Sequence, residues 1–259
     1  MNILAITQSK DILGGANRSL FDVLMLLRDI YGHRIFVVSP GEGDFTKELK
    51  KEKIDYICVE YNQVSFVQMG DLKDPARYIR AAIRDRKNKR VAIELSRQFT
   101  ERKFDVVYIN DTTNTFGYYL AKVLGLPYVW HFRGYHQTIA KYLLRDRVFR
   151  RDADGMSIAI SQSMKDYMVR VRKMAPDRIK VIPNGVTNAG VRIKQPWEQS
   201  ITDGLHCVHC GHLSEAKGQT ESILAIAELK RRGYDEASLP MLSEEQVNKE
   251  IVLEAVKNW

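Results

Sequence analysis

The stretch "FDVVYINDTTNTFGYYLAKVLGLPYVWHFRGYH", Phe104 to His136, decides the fold. Asp105–Asn110 is a short, nearly continuous apolar run rich in β-branched residues, the pattern of a strand covered on both faces. Asp111-Thr112-Thr113 ends it in polar side chains. Phe116–Leu124 then reads as a helix, and Tyr128–Phe132 is a second apolar run. Strand, helix and strand in one stretch predict a βαβ unit with parallel strands.

The same alternation extends in both directions. Asn2–Thr7, Arg34–Ser39, Tyr56–Tyr61, Met156–Ile160, Ile179–Ile182 and Leu205–Cys210 are further strand candidates. Arg18–Ile30 carries Leu20, Val23, Leu24 and Leu27 at helical spacing. Pro75–Arg102, Ser163–Met174 and Gln219–Arg232 are the other helices. The repeated order predicts an α/β doubly wound, Rossmann-like parallel sheet. Ligands of such sheets bind at the carboxyl ends of the strands. Four of those ends gather unusual residues: Gly14-Gly15, Asn110 with Asp111-Thr112-Thr113, His131 to Gly134, and Pro183-Asn184-Gly185.

Residues 187–204 are polar and aperiodic and read as a linker. The expected division is therefore 1–186, a linker at 187–204, the start of a second domain at 205–238, and a tail helix within 239–259. In that tail Pro240 acts as breaker and Ser243 as N-cap.

The 259 residues are 44% hydrophobic and 28% charged, as in a globular protein. No segment approaches ~18 uninterrupted apolar residues, so no membrane span is expected. Met1–Ile6 enters an apolar run without a basic n-region, and three cysteines do not make a disulfide framework. The cytoplasm is the expected compartment. The net charge of +8, concentrated in Lys73–Lys103 and Lys141–Arg151, calls for an anionic partner. An anionic membrane surface or phosphorylated small molecules fit. Nucleic acid is not expected, because no groove-reading helix or base-stacking sheet is evident.

The glycine pair after the first strand lets backbone amides approach an anion at a helix start. Adjacent glycines with no third exclude the GxGxxG fingerprint, and no Gly-Lys-Ser/Thr marks a Walker loop. In "VWHFRGYH", Arg133 suits phosphate or carboxylate, and His131 and His136 can donate, shuttle a proton or bind metal.

"GGANRSL", the Phe104–His136 stretch, "AISQSMKDYMV", "RIKVIPNGV" and "CGHLSEAKGQTESILAIAEL" together, in this order over about Met1 to Arg232, resemble glycosyltransferase family 4, retaining enzymes of the GT-B fold. The resemblance implies two Rossmann-like domains facing a cleft, the first binding the acceptor and the second a nucleotide-diphosphate sugar. It implies that Gly14 and Gly15 form the loop near the donor phosphate and acceptor. His131 would lie near the transferred sugar as the catalytic residue, with Asn110, Asp111, Arg133, Asn184 and Gly185 around the substrates. His212 and Lys217 would face the donor diphosphate. It implies no cofactor beyond the nucleotide-sugar co-substrate and no metal, with helix dipoles and basic side chains stabilising the leaving diphosphate. The acceptor would be a glycan or a lipid-linked molecule, which places the protein peripherally at the inner membrane face.

The sequence departs from the family twice. The strand before Lys217 ends Gly211-His212-Leu213, where the family has Gly-Arg-Leu, and histidine lacks the arginine fork. A family member also needs roughly another hundred residues beyond Lys217 for a second domain of ordinary size. Glu236 and Glu244 match the family's Glu-x7-Glu spacing by arithmetic only, since Pro240 lies between them. The expectation is an incomplete second domain with one helix and a tail but no sheet, either truncated or completed by a second polypeptide or a homo-oligomer. The alternative is a non-catalytic acceptor-binding module derived from a glycosyltransferase.

"GLHCVHCGH", Gly204 to His212, also resembles half of a zinc knuckle. A tetrahedral site needs four convergent ligands. On a strand, Cys207 and Cys210 would point to opposite faces about 10 Å apart, so the strand reading is preferred over a metal or redox pair.

Overall fold

The computed structural model describes residues 1–12, 15–63, 75–134, 154–171, 173–185, 205–206, 209, 211, 217–232 and 237–238. The chain forms two units, residues 1–187 and 188–259.

In the first unit, seven strands among the described residues build one parallel sheet. They are β1 (Asn2–Ile6), β2 (Arg34–Ser39), β3 (Asp55–Cys58), β4 (Val106–Asn110), β5 (Tyr128–Phe132), β6 (Gly155–Ala159) and β7 (Ile179–Val181). Their order is β3-β2-β1-β4-β5-β6-β7. β1 pairs with β2 on one side and β4 on the other, with Ile3 opposite both Ile35 and Val106. The chain thus winds outward in two directions from the β1/β4 boundary. In an open parallel sheet, the carboxyl ends at such a reversal form the binding crevice.

Side chains alternate across the sheet and bury on both faces. Ile3, Ala5, Val37 and Tyr108 pack with Leu20, Phe21 and Leu24 of α1 (Gly15–Asp29) and with Phe45 and Leu49 of α2 (Asp44–Lys51). Leu4, Ile6, Val38, Val107, Ile109 and Trp130 face the other way. They meet Ala92 and Leu95 of α3 (Pro75–Gln98), Phe116 and Leu120 of α4 (Thr115–Leu124), and Met164 and Met168 of α5 (Gln162–Arg170). Each large apolar side chain so buried contributes about 1.5–3 kcal/mol of transfer free energy. The doubly wound sheet expected from the alternating runs is therefore present.

Two close approaches hold the half of the sheet that carries the site. A Cβ on Gly117 would stand 2.9 Å from both branches of Ile109, so α4 lies directly on β4. A Cβ on Gly155 would stand 2.1 Å from Cζ of Tyr128, so β6 passes under that ring.

The structure differs from the sequence reading in places. Helix α2 was not anticipated, because "GEG" precedes it and its eight residues bury only Phe45, Thr46 and Leu49. Its start is fixed by the Gly43 N–H, which donates to Thr46 Oγ1 at 3.0 Å. Strand β3 ends at Cys58 instead of reaching Tyr61. Tyr61 leaves the sheet to stack on Phe116, centroids 4.2 Å apart, and its hydroxyl donates to the Thr7 carbonyl at 2.8 Å. Helix α1 begins at Gly15 instead of Arg18, so the helix reaches back to the glycine pair.

In the second unit, β8 (Leu205–His206) pairs in parallel with β9 (Ala237–Ser238), and α6 (Gln219–Arg231) connects them. This corrects the expectation of a helix and tail without a sheet: Leu205 pairs with Ala237 and His206 with Ser238. A two-residue strand has no alternation to read, so its partner can be found only in three dimensions. Gly218 caps α6 in the left-handed conformation, φ 72°. The linker 187–204, the basic stretch 141–151, Cys207, Cys210, His212 and the tail helix within 239–259 lie outside the described residues.

Candidate active site

The pleat puts Tyr108 and Asn110 of β4 on the same face as His131 of β5, with Asn110 paired to His131 across the ladder. Arg133, two residues after His131, follows on that face. All lie at the carboxyl ends of β4 and β5, on the side that α1 covers.

Arg133 is the hub. Its Nε donates to Asn110 Oδ1 at 2.6 Å, and its Nη1 donates to Ser19 Oγ at 2.6 Å and to Asn184 Oδ1 at 2.8 Å. One guanidinium thereby ties together β4, the second turn of α1 and the loop after β7. Asn110 Nδ2 donates to the Ala16 carbonyl and to Asn17 Oδ1, both at 3.2 Å. Asn17 in turn donates to the Ser9 and Asp11 carbonyls, each at 2.8 Å, and fixes the loop after β1. These contacts bridge the β1/β4 crevice.

Asp111 sits beside the hub with φ 71°, a left-handed conformation that aspartate tolerates better than most residues. Its carboxylate accepts from Gln8 Nε2 at 2.6 Å and from Thr113 Oγ1 at 3.1 Å. It is occupied with shaping the loop.

His131 is buried, 4% exposed. Its Nδ1 lies 2.5 Å from the Tyr108 hydroxyl. Burial, reinforced by the Arg133 charge, pulls its pKa from 6.5 down to about 3, so it is neutral near pH 7. Burial likewise pushes the Tyr108 phenol up to about 12, against the opposing pull of Arg133. The Arg133 pKa is lowered by burial. Two buried side-chain atoms in this cluster have no hydrogen-bond partner among the described residues: His131 Nε2 and Arg133 Nη2. A buried polar atom left unpaired costs about 1–3 kcal/mol.

The structure therefore brings Asn110, His131, Arg133 and Asn184 together. Gly185 follows Asn184 and is exposed. Gly15 opens α1, and a Cβ there would meet nothing within 4 Å among the described residues. Lys217 is exposed and stands beside Gly211 in the second unit. Gly14, His136 and His212 lie outside the described residues. Sequence reasoning missed Tyr108, Asn17, Ser19 and Gln8. Tyr108 was findable: "YIN" and "HFR" each place polar or aromatic groups two residues apart at strand ends, and hence on one face. Among the described residues, no three His, Cys, Asp or Glu side chains gather where a metal ion could sit. No described helix is long and apolar enough to cross a membrane.

A parallel sheet wound in two directions, with a basic, oxygen-seeking cluster at its reversal point, defines a Rossmann-like domain of the kind found in GT-B proteins. Residues 13–188 match the sequence profile of Glycosyltransferase Family 4, and the chain belongs to that family. Among solved structures, HepE of Anabaena in complex with UDP-glucose is 20% identical, with a TM-score of 0.61 over 100% of this chain and 65% of that one. A glycosyltransferase from Rickettsia africae is 19% identical, with a TM-score of 0.64 over 99% of this chain and 65% of that one. The lipopolysaccharide outer core galactosyltransferase WaaB, in its apo form, is 14% identical, with a TM-score of 0.54 over 99% and 72%. The chain thus spans 65% of the length of the first two. A comparison with curated proteins found no match.

Proposed function

We propose that this chain takes part in retaining, metal-independent transfer of a sugar from a nucleotide-diphosphate sugar to a glycan or lipid-linked acceptor. The observation that carries the reading is the pair of unpartnered buried atoms, His131 Nε2 and Arg133 Nη2. A guanidinium has only donors. A ligand that meets Arg133 there would offer acceptor oxygens, as phosphate and sugar hydroxyl groups do. The UDP-glucose bound by Anabaena HepE is a ligand of this kind and makes a uridine nucleotide sugar the first donor to try.

In this reading the Arg133 charge and the amino end of α1 balance negative charge as the diphosphate leaves, and His131 orients the sugar. Asp111 is engaged by Gln8 and Thr113, and in this reading it shapes the loop while hydrogen-bond donors serve the leaving group. Lys217, in the second unit, is proposed as a residue that binds the donor diphosphate.

The membrane part of the proposal rests on α3. Ile79, Ile83, Arg86, Arg90, Ile93 and Arg97 are exposed and fall on one stripe, opposite the buried stripe of Ala81, Asp85, Asn88, Ala92 and Leu95. Isoleucines interleaved with arginines suit an anionic lipid surface carrying the acceptor.

The deciding measurement is transfer from a panel of UDP-sugars to lipid-extract acceptors by the full chain. Transfer should be lost with His131→Ala and persist in chelator. No transfer together with no UDP-sugar binding by calorimetry would overturn the catalytic reading and leave the acceptor-binding module.

A further inference from the structure

Tyr108 lies opposite Val129, so its phenol reaches diagonally along the sheet to the next same-face residue of β5, which is His131. The hydroxyl stands 2.5 Å from Nδ1, with the two rings edge to face at 70°. The positive charge of Arg133 acts on the phenol from close by. This asymmetry fixes a direction. A nearby cation draws the phenol's lone pairs toward itself and turns its single proton away, toward His131 Nδ1. A neutral imidazole that accepts at Nδ1 carries its hydrogen on Nε2. That is the buried atom without a partner.

We propose that Tyr108 is a positioning residue: it locks His131 in the Nε2–H tautomer and presents that N–H as a donor to an oxygen of the bound sugar nucleotide. The tautomer stands on the Tyr108–His131 contact and the nearby Arg133 charge, and its use on a sugar nucleotide rests on the function proposed above. One consequence concerns the chemistry. The imidazole lone pair sits on Nδ1 and is already engaged, so His131 cannot act as a general base toward the ligand. Tyr108→Phe keeps the ring but removes the only proton aimed at Nδ1, and the tautomer should redistribute.

The test is long-range proton–nitrogen NMR on the full chain labelled with nitrogen-15 histidine, with the His131 signals identified by their loss in His131→Gln. At pH 7 the expected pattern is a protonated Nε2 and an unprotonated Nδ1, unchanged down to pH 5. Tyr108→Phe should move both nitrogens toward averaged shifts. A proton on Nδ1 in the natural protein, ordinary titration near pH 6.5, or no change in Tyr108→Phe would overturn the lock. If Tyr108→Phe fails to fold, the natural protein's own pattern and titration still decide. Adding UDP-glucose should shift the Nε2–H signal. An intact Nε2–H tautomer that ignores UDP-glucose, while UDP-glucose binds elsewhere on the chain, would sink the positioning role alone. No binding at all would sink the proposed function and spare the tautomer.

Discussion

Two buried polar clusters flank the carboxyl ends of the sheet, one on each face, and they are built to opposite plans. The Arg133 cluster joins β4, β5, α1 and the loop after β7. The second cluster joins α3, α4 and the loop after β3. There Asn88 accepts from the Asn62 backbone N–H and donates to the Asn62 carbonyl, both at 2.8 Å, and donates to Thr115 Oγ1 at 3.1 Å. The Tyr119 hydroxyl donates to Asp85 Oδ2 at 2.6 Å. Each cluster leaves two buried atoms unpartnered among the described residues. In the second they are Asn62 Nδ2 and Asp85 Oδ1, one donor and one acceptor, a mixture that ordered water can serve. In the first, with the tautomer inferred above, both are donors. The donor–acceptor pair suits ordered water, and the two donors suit the oxygen-rich ligand proposed above.

The largest effect that would test this contrast is Arg133→Met. Removing a buried, ligand-facing charge should cut transfer about 100-fold or more, near 3 kcal/mol, while Asp85→Asn leaves transfer unchanged. Steady-state kinetics on both variants measure it, and equal losses would erase the distinction between the clusters.

Acid stability comes next. The folded pKa of His131 is depressed to about 3 from 6.5, so the unfolded chain binds an extra proton between those values. Stability is full above pH 6.5 and falls with pH below it, by about 2 kcal/mol at pH 5. Denaturant melts at pH 7 and pH 5 should show this slope, and His131→Gln should flatten it.

A smaller contrast separates two substitutions at one position. The amide nitrogen of glutamine mimics Nε2–H and that of asparagine mimics Nδ1–H. His131→Gln should therefore hold UDP-sugar about tenfold more tightly than His131→Asn, which is about 1.4 kcal/mol. Calorimetry yields the ratio, and a ratio of one would remove the case for Nε2 as donor.

Asp85→Asn should have the smallest effect. Burial raises the Asp85 pKa despite help from Tyr119, so the folded state holds its proton more tightly than the unfolded one. That group destabilises as pH rises through its folded pKa, the reverse of His131. Asp85→Asn should leave the melting temperature at pH 7 unchanged or slightly raised, and should remove this opposing slope, which begins above the ordinary aspartate pKa of 3.8. Calorimetric melts above that pH would reveal it.

Much of the fold was legible because parallel strands buried on both faces must be short and apolar, and the runs at Asn2, Arg34, Val106 and Tyr128 are. Helix α2 and strand β9 were not, since eight residues with two large apolar anchors and a two-residue strand carry almost no periodicity. At the site, His131, Arg133 and Asn184 stood out as polar groups placed where strands end. Asn17, Ser19 and Tyr108 did not, because their types are ordinary in a helix start or a strand and only their partners make them notable.

By itself the sequence determined that this chain winds an α/β sheet and that its unusual residues collect at one end of the strands. Hydrophobic period is a local property and survives in one dimension. Only the tertiary structure decided that Arg133 would reach Ser19 and Asn184, and that the Tyr108 hydroxyl would meet His131 Nδ1. Those contacts join segments far apart in the chain, at 2.6 Å, 2.8 Å and 2.5 Å. Hydrogen-bond direction depends on angles and neighbours that no spacing rule encodes.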